Sequence, residues 1–423
     1  MDNNAIALLD ANNFYVSCET AFEAGARGKP TVVLSNNDGC VISRSEEAKQ
    51  IGVTMGAPFF KIEPFLNQHD AFVYSSNYAL YGDLSDRLMN LLYNFTPDVE
   101  INSIDEAFLS LEPRKNSLEK LGWSIKEKIY KWTGIPVSVG IAETKVLSKL
   151  ANRLAKKSEK AKGVLNLYRS PHTELALKRT EVGDVWQIGR ESVNKLKEYD
   201  ILTAWDLRAA EHRLIRKLLT VKGARIALEL RGIKCLPLEA TAPEDKKSTA
   251  CTRNLPNAVT KFQDLKDALL YFVTVAAERM RKSNLAAKAV TVSVGTDRFH
   301  PVPFEYCNQA TYKSAQASDV NFELQEWTLK TLEKIFREGI EYKRAGVVLT
   351  GLVGVEKLTK RMFDDAEFQR WHNLTKAIDE INRKFGKHTI RLGCVKTNGI
   401  WQMKQFRRSK RYTTRWDELL VVG

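Results

Sequence analysis

The sequence predicts a multidomain α/β protein of the α+β type, in which mixed sheets are backed by helices. At 423 residues the chain is too long for one hydrophobic core, so about two to four domains are expected. Short apolar runs alternate with amphipathic helical patterns in the first part of the chain, and a β-α-β-β-α-β order follows in the later part. Between them lies a region of short helices.

The first strand is the apolar run Ala5 to Leu9, which ends in Asp10. The stretch Val99 to Leu111 predicts two strands joined by a tight turn, with Asp105 and Glu106 at the bend. An acidic pair alone is more often a solvated turn. If these strands pair in one sheet, however, three carboxylates come together, and such a set can hold two Mg²⁺ ions for in-line phosphoryl transfer.

A second strand is expected at residues 30–35, closed by the turn signal Asn36 to Gly39. Ser43 and Glu46 then fit a capping box that opens a short helix through Gln50. The free backbone N–H groups of such a helix start favour an anion, and Arg44 and Lys49 lie beside it. An ordinary capped surface helix accounts for the same motif.

Further amphipathic helices are predicted at residues 77–95 and 118–132, with a strand at 135–142 between the second of them and a basic helix, Thr144 to Lys157. The basic helix has one apolar face, and its other face carries Lys145, Lys149, Arg153 and Lys156. A solvated face explains this stripe. Because the helix follows the acidic hairpin and its neighbouring strand, a lysine reaching a metal-held phosphate explains it equally well.

The region of short helices begins near residue 175. Val185 to Gly189 followed by Glu191 to Tyr199 predicts a helix, a glycine turn and a second helix, and Leu218 to Gly223 indicates the start of another. Such pairs offer backbone N–H groups to nucleic-acid phosphates, although a corner made only for packing has the same pattern. The polar segment 240–248 is typical of a linker.

Beyond the linker, strands and helices follow in the order β-α-β-β-α-β between Ser248 and Val353, a module that by itself specifies no function. Near the end, residues 404–415 contain six basic residues and no acid, interleaved with Phe406 and Tyr412. This composition suits contact with phosphates or a single strand, and a solvated tail is the alternative.

Charge and cysteine content narrow the function classes. The 65 basic and 51 acidic residues give a net charge of +14, which favours a polyanionic partner. The six cysteines form no C-x-x-C pair, so neither a zinc ribbon nor a disulfide framework is expected, and they suit a reducing compartment. The sequence has no signal-like start and no long apolar stretch, so we expect a soluble, intracellular protein without a membrane partner.

Seven stretches carry a resemblance to a known family: LLDANNFYVSCE (8–19), VVLSNNDGCVISRSEEAKQIGV (32–53), SSNYALYGDLSDRLM (75–89), SIDEAF (103–108), VGIAETKVLSKLAN (139–152), DVWQIG (184–189), and WQMK with SKRYTTRWDELL near the end. The chain resembles the Y-family DNA polymerases, and the last two stretches resemble the UmuC-like branch of that family. The matches run through the whole chain in order.

The resemblance implies a right-hand polymerase. Residues 1–168 would form a palm, with small fingers inserted at about 30–76, and residues 169–236 a helical thumb. Residues 237–247 would be a linker and 248–354 a little finger with the β-α-β-β-α-β order. Residues 355–423 would be a basic C-terminal tail.

The resemblance also assigns site residues. It places two Mg²⁺ ions at Asp10, Asp105 and Glu106, with the backbone carbonyl of Ala11 as a further ligand. The positions that bind the incoming nucleotide would be Tyr15 as the steric gate for the sugar, with Ser43, Arg44, Lys49 and Lys156 at the triphosphate. Contacts to DNA are expected from Lys145, Lys149, Gly189, Arg190, Gly223 and Arg253.

The chain departs from the family in three places. Glu46 and Lys49 stand where the family often has Tyr and Arg, which is why Arg44 is considered as a substitute. Gln187 replaces the first glycine of a common G-x-G turn. The sliding-clamp peptide is reduced to its last apolar pair in Thr359 to Phe363, so clamp binding is expected to be weak or absent.

The implied function is error-prone, template-directed DNA synthesis past damaged bases in the SOS response. Its partners would be primer–template DNA, a deoxynucleoside triphosphate, a cleaved UmuD-like dimer and a RecA filament, in the bacterial cytoplasm at the nucleoid. Two other classes use similar features: palm-type cyclases or two-metal nucleases, and a non-catalytic DNA-binding accessory subunit. The thumb-like region and second module disfavour the former, and the intact acids disfavour the latter.

Overall fold

The structure is a computed structural model that describes residues 4–113, 117–239, 246–297, 305–358, 365–386, 388–396, 399 and 401–420. The chain divides into two compact units. The first comprises Met1–Ala242 together with Gln405–Gly423, and the second comprises Pro243–Lys404. The last part of the chain therefore belongs to the first unit, although the sequence suggested a tail that follows the second.

The first unit contains eight of the named strands and ten of the named helices in its described residues. In chain order these are β1 (Ala5–Ala11), α1 (Phe14–Phe22), β2 (Thr31–Leu34), β3 (Val41–Arg44), α2 (Glu46–Gln50), α3 (Phe59–Gln68), β4 (Phe72–Ser75), α4 (Tyr78–Leu92), β5 (Val99–Ile101), β6 (Glu106–Leu111), α5 (Leu118–Thr133), β7 (Val137–Ala142), α6 (Lys145–Lys157), β8 (Val164–Asn166), α7 (Thr173–Lys178), α8 (Arg190–Lys197), α9 (Ala204–Ala209) and α10 (His212–Leu230).

A five-stranded sheet with the order β5-β6-β1-β7-β8 forms the centre of this unit. The apolar run of β1 makes it the middle strand, and the predicted pairing of β1 with the acidic hairpin is confirmed. Side chains alternate along a strand, so Leu9 packs with α4 and α5, whereas Leu8 belongs to a small cluster with Phe108 on the other face. Asp10 lies two residues after Leu8, so its side chain is on the same face of the sheet. This face is the one covered by α6.

A separate three-stranded sheet, ordered β3-β2-β4, carries α2 and α3 on its own small apolar core. The helix predicted to begin at Ser43 begins later. Ser43 lies within β3, and Ser45 is the N-cap of α2, with its hydroxyl accepting a hydrogen bond from Ala48 N at 3.1 Å. Pairing of residues 41–44 with β2 extends the strand and moves the cap by two positions.

The region of short helices has two strained positions in turns. The predicted helix at Val185 is instead a single 3₁₀ turn, Val182–Asp184, followed by α8. Between them Gln187 has φ +67°, a left-handed conformation that favours glycine. The second strained position is Thr220, with φ +64°, which divides α10 into two parts. The turn at 187–189 therefore forms although its first glycine is replaced.

The second unit confirms the β-α-β-β-α-β order. Its elements are β9 (Ser248–Val259), α11 (Phe262–Arg281), β10 (Leu285–Gly295), β11 (Cys307–Ser318), α12 (Asn321–Ile335), β12 (Tyr342–Thr350), β13 (Val353–Gly354) and α13 (Asp365–Phe385). The four long strands form a sheet ordered β11-β10-β12-β9, and α11 and α12 share its apolar core.

Residues 355–423 are more structured than a basic tail. Helix α13 packs on the second unit, where Arg281 binds Asp379 through two hydrogen bonds of 2.6 and 2.9 Å, and His372 contacts Asp319 at 2.8 Å. The residues after 404 return to the first unit. Within the described residues, no helix is both long and apolar enough to cross a membrane.

Candidate active site

Three carboxylates meet at the end of β1. Asp10 lies directly opposite Glu106 in the antiparallel pairing of β1 with β6, and directly opposed residues on one face have Cβ atoms about 4.5–5.5 Å apart. Asp105 precedes β6, and its carbonyl accepts a hydrogen bond from Ala11 N at 2.8 Å. The predicted juxtaposition of Asp10 with the acidic hairpin is thus observed, and it follows from strand register.

Each carboxylate has its own polar partner. Lys156 Nζ lies 2.5 Å from Asp10 Oδ1, and Lys149 Nζ lies 2.9 Å from Glu106 Oε1. Ser103 donates a hydrogen bond to Asp105. Burial raises the pKa of Asp10, Lys156 lowers it, and the negative charges of Asp105 and Glu106 raise it further. The acids therefore repel one another across a shared space, and lysines from α6 offset that repulsion.

The carboxylates at the end of β1 are ligands of the type that a divalent metal ion takes. Among the described side chains, no three acidic, histidine or cysteine groups stand in a common ligating arrangement, because the acids are turned towards their lysine and hydroxyl partners. The donor set nevertheless consists of carboxylate oxygens on adjacent rigid strands, which hard cations such as Mg²⁺ prefer. The mutual charge repulsion at Asp10 is what a cation would relieve. The residues present fit such an ion.

The two aromatic residues that follow β1 have different environments. Phe14 is buried in the core of the first unit, whereas Tyr15 is only partly buried. The ring of Tyr15 stacks on Tyr81 with 4.6 Å between centroids and lies edge-on to Tyr78 at 6.1 Å. Burial, Tyr78 and the negative charge of Asp105 raise the pKa of Tyr15, in that order. Tyr15 therefore lies close enough to the carboxylates to feel their charge.

Two of the predicted triphosphate contacts have structural partners instead. Ser43 is 6% exposed, and its hydroxyl accepts from Val16 N at 3.4 Å and donates to Asn13 O at 3.3 Å. Arg44 donates to the carbonyl of Val53 within the small three-stranded unit. In this structure Ser43 holds the start of α1 through its two hydrogen bonds, and Arg44 binds the loop after α2 through the carbonyl of Val53.

Lys49 and Lys156, by contrast, line one pocket of about 480 Å³, and Lys156 also lines the neighbouring pocket of about 250 Å³ that contains Asp10 and Glu106. Lys49 Nζ lies 2.5 Å from Glu46 Oε1, and Glu46 also accepts from Asn13 Nδ2 at 3.1 Å. Lys126, Lys157 and Lys162 line the same pocket. A pocket with several lysines beside three carboxylates is suited to a polyphosphate whose charge is shared between lysines and metal ions.

Comparison with protein families covers most of the chain. Residues 9–153 match the impB/mucB/samB family, and residues 246–361 match the C-terminal domain of the same family. The UmuC protein of Salmonella typhimurium is 38% identical over 98% of this chain and 99% of its own length. The chain belongs to the UmuC family of Y-family DNA polymerases. Residues 372–422 match a domain of unknown function, DUF4113.

Other relatives and solved structures agree. The ImpB protein of Salmonella typhimurium is 34% identical over 98% of both chains, and DNA polymerase IV of Clostridium kluyveri is 24% identical over 93% of this chain and 98% of its own. A chimeric Y-family DNA polymerase has a TM-score of 0.65 at 23% identity, covering 83% of this chain and 99% of its own. An insertion ternary complex of Dbh DNA polymerase has a TM-score of 0.55 at 21% identity, with the same coverage. These structures establish the fold as that of a Y-family polymerase.

Several residues expected to contact DNA in this UmuC-family chain have partners within the protein. Lys145 is 5% exposed, and its ammonium is held by both oxygens of Glu100, at 2.8 and 2.6 Å, and by Pro237 O at 2.7 Å. Its ammonium is therefore enclosed by partners from within the protein. Lys149 faces Glu106 and the ring of Trp186, so it belongs to the carboxylate site.

Two more of the expected contacts face the protein interior. A Cβ at Gly223 would lie 2.2 Å from Leu219 Cβ, so this glycine permits close packing beside the break in α10. Arg253 shares the strand face of Cys251 and Leu255, which is covered by α11, and its guanidinium lies over the ring of Phe272. Arg253 therefore packs against this helix-covered face in the structure.

Gly189 and Arg190 keep positions suited to a backbone phosphate contact. Gly189 is the N-cap of α8, with no atom within 4 Å of a Cβ placed there, and Arg190 at the first helical position is exposed. The clamp-like peptide Thr359 to Phe363 lies outside the described residues.

Sequence reasoning missed two groups at the site. Trp186 stacks near Phe108 and forms a cation–π contact with Lys149 at 4.6 Å, and so lies under the lysine that pairs with Glu106. The second group is a buried pair behind Tyr15, in which Tyr81 OH donates to Glu19 Oε1 at 2.6 Å. The position of Glu19 could have indicated this buried pair, because Glu19 is a charged residue on the apolar side of a short helix.

Proposed function

We propose that this UmuC-family chain is an error-prone, template-directed DNA polymerase that performs translesion synthesis in the SOS response. It transfers a nucleotidyl group from a deoxynucleoside triphosphate to the 3′-hydroxyl of a primer. The observation that carries the proposal is the pairing of Asp10 with Glu106 across β1 and β6, with Asp105 tied to Ala11, in a chain 38% identical to UmuC. The predicted palm, fingers, thumb and little finger are part of this proposal.

Asp10, Asp105 and Glu106 would hold two Mg²⁺ ions, and the carbonyl of Ala11 would add a ligand. The ions, when bound, supply positive charge to the reacting phosphoryl group and to the attacking and leaving oxygens. Lys156 and Lys149 form ion pairs with Asp10 and Glu106 and so offset the negative charge of the site. Lysine side chains are flexible, so Lys156 can then turn to the triphosphate in the pocket it shares with Lys49.

Tyr15 would exclude ribonucleotides. Its ring is stacked on Tyr81, which limits how far it can move away from a sugar placed above the carboxylates. A 2′-hydroxyl against a fixed ring is overpacked, at a cost of about 1–3 kcal/mol, whereas a deoxyribose fits. Ser43 would act through the position of α1, and Arg44 would need to leave Val53 to reach a phosphate.

DNA contact by Gly189 and Arg190 is supported by an open helix start, because free backbone N–H groups attract phosphate. A cleaved UmuD-like dimer and a RecA filament are proposed as partners, since the chain is related to UmuC along nearly its whole length. We propose that the protein works in the bacterial cytoplasm at the nucleoid. Clamp binding is expected to be weak.

The proposal is tested by primer extension on undamaged and abasic templates with Mg²⁺. Asp105→Asn and Asp10→Asn should abolish nucleotide addition to the primer and leave the affinity for DNA nearly unchanged. The reason is that the carboxylates act on the metal ions and the phosphoryl charge, whereas DNA is bound through many separate phosphate contacts. Asp86→Asn, which changes an exposed acid on α4, is the control and should extend normally. Extension by Asp105→Asn at the wild-type rate would overturn the metal assignment.

The same experiment separates the alternatives. A nuclease would shorten the primer in Mg²⁺ and lose that activity in Asp105→Asn. A non-catalytic accessory subunit would bind DNA but neither extend nor shorten the primer, with wild type and variant alike. Addition of only the base complementary to the template is the outcome that identifies a polymerase.

A further inference from the structure

The end of the chain lies on the first unit, where residues 405–412, here named the C-terminal strap, cross the start of α4. Ser75 forms a parallel bridge with Arg408, its N–H donates to Arg407 O at 3.1 Å, and its hydroxyl accepts from Arg407 N at 3.0 Å. Gln405 Nε2 donates to Ser76 O at 2.8 Å. The strap thus adds backbone pairing to the last residues before α4.

The strap also binds the N-cap of α4. Asn77 is 2% exposed, and its side-chain oxygen accepts from Leu80 N at 3.4 Å. Its amide group donates to the strap, to Ser409 Oγ at 3.0 Å, Ser409 O at 3.3 Å and Lys410 O at 3.2 Å. A cap residue that is fully engaged on both ends holds the first turn of its helix in one place.

Both ends of the strap are anchored on other elements of the first unit. Tyr412 stacks on Phe22 of α1, with 4.9 Å between centroids and 10° between planes. Arg407 binds Glu63 at 2.8 Å and lies over the ring of Phe59, both on α3. The basic residues of this segment therefore serve partly to attach it to the protein, a role that the sequence did not suggest.

From the strap a short chain of contacts leads to Tyr15. The Ser409 hydroxyl lies beside the carboxyl of Glu19, which is 1% exposed and accepts from Tyr81 OH at 2.6 Å. Tyr81, fully buried in the first turn of α4, presents its ring to Tyr15 at 4.6 Å with 21° between planes. The strap contacts both groups that fix Tyr81: the start of its helix and the partner of its hydroxyl.

We propose that the C-terminal strap is a positioning element of the nucleotide site, which holds Tyr81 through Asn77 and Glu19 so that Tyr15 stays against the sugar. The inference rests on the proposed function, since it deepens the sugar selection assigned to Tyr15. It gives a role to part of the region that matches a domain of unknown function. The hydrogen bonds of the strap at the start of α4 go to Ser75, Ser76 and Asn77, so the strap acts on the site through Tyr81.

The test measures sugar discrimination, the ratio of kcat/KM for a matched deoxyribonucleotide to that for the ribonucleotide, in the full-length protein. The double variant Ser409→Ala, Tyr412→Ala should lower this ratio by about three- to tenfold, the range expected from losing one or two net hydrogen bonds or packing contacts. The affinity for DNA should be unchanged. Trp416→Ala, which removes a side chain 91% exposed in the same region, is the matched control.

A second variant keeps the test independent of folding. Tyr81→Phe retains the ring that stacks on Tyr15 and removes only the hydroxyl bonded to Glu19. It should lower discrimination in the same direction, with a thermal midpoint measured beside it. Because the strap acts through Tyr15, neither change should lower sugar discrimination further when it is combined with Tyr15→Ala. If the effects were independent, the combined loss would be the product of the separate losses.

The outcomes distinguish this inference from the proposed function. If wild type adds templated nucleotides and Tyr15→Ala loses discrimination, but the strap variant and Tyr81→Phe keep it, the inference is overturned and the polymerase assignment stands. The inference would also be overturned if the combined variants lost sugar discrimination by the product of the separate losses, since that result indicates a general structural effect. Absence of templated addition by the wild type would overturn the proposed function together with the inference.

Discussion

Glu19 provides a sharp test of the buried network behind Tyr15. Its carboxyl is 1% exposed, and Oε2 is buried without a hydrogen-bond partner among the described residues. Burial raises the pKa of Glu19 from 4.5 to about 7, and hydrogen bonds from Tyr81 and Ser409 offset only part of that rise. The titratable groups that face it in the described residues are Cys18, Tyr74, Tyr81 and Tyr412, which supply no positive charge.

The sign of the effect follows from the raised pKa. The folded protein favours the protonated carboxyl, so its contribution to stability is fully present below about pH 4.5, is lost as the pH rises towards about 7, and changes little above that. At about 1.4 kcal/mol per pKa unit, the cost is under about 1 kcal/mol at pH 5 and about 3 kcal/mol at pH 8.5. Glu19→Gln removes this titration and keeps an acceptor for the Tyr81 hydroxyl.

We therefore expect Glu19→Gln to gain about 2 kcal/mol relative to wild type between pH 5 and pH 8.5. Urea unfolding of both proteins at each pH measures this difference, in which the other titrating groups cancel. Glu23→Gln, which removes an exposed charge just after the same helix, is the control. A stability difference that does not change with pH would refute the claim that Glu19 is buried with its proton.

Three further predictions concern other parts of the chain. Tyr15→Ala should raise ribonucleotide incorporation at least about tenfold in single-nucleotide addition, while Phe14→Ala should mainly lower the unfolding free energy, by about 3–5 kcal/mol; an unchanged sugar preference would leave Tyr15 as packing. Gln187→Gly should raise the free energy of unfolding by up to about 1 kcal/mol, seen as a higher urea midpoint, because it relieves a side chain at φ +67°; a loss of stability would contradict this. Lys145→Met should cost about 3 kcal/mol, since the largely enclosed carboxylate of Glu100 loses its lysine and keeps only neutral donors such as Glu239 N, and should leave the salt dependence of DNA binding unchanged; a shallower salt slope would support Lys145 as a DNA contact.

Much of the architecture was contained in the sequence. The run Ala5 to Leu9 predicted a strand ending in Asp10, and the patterns between Ser248 and Val353 predicted the β-α-β-β-α-β order of the second unit, because hydrophobic period is a local property of the chain. The acidic hairpin was predicted from adjacent residues alone. These features fixed which carboxylates could meet.

The tertiary structure alone decided which polar groups those local patterns serve. Lys145 and Lys149 lie on one helix with the same basic stripe, yet one is buried against Glu100 and the other reaches Glu106, because neighbouring elements differ at each turn. The strap joins Asn77 to Ser409 across 332 positions. A contact over that separation leaves no period and no motif in the sequence, since it depends on surfaces that exist only after both segments have folded.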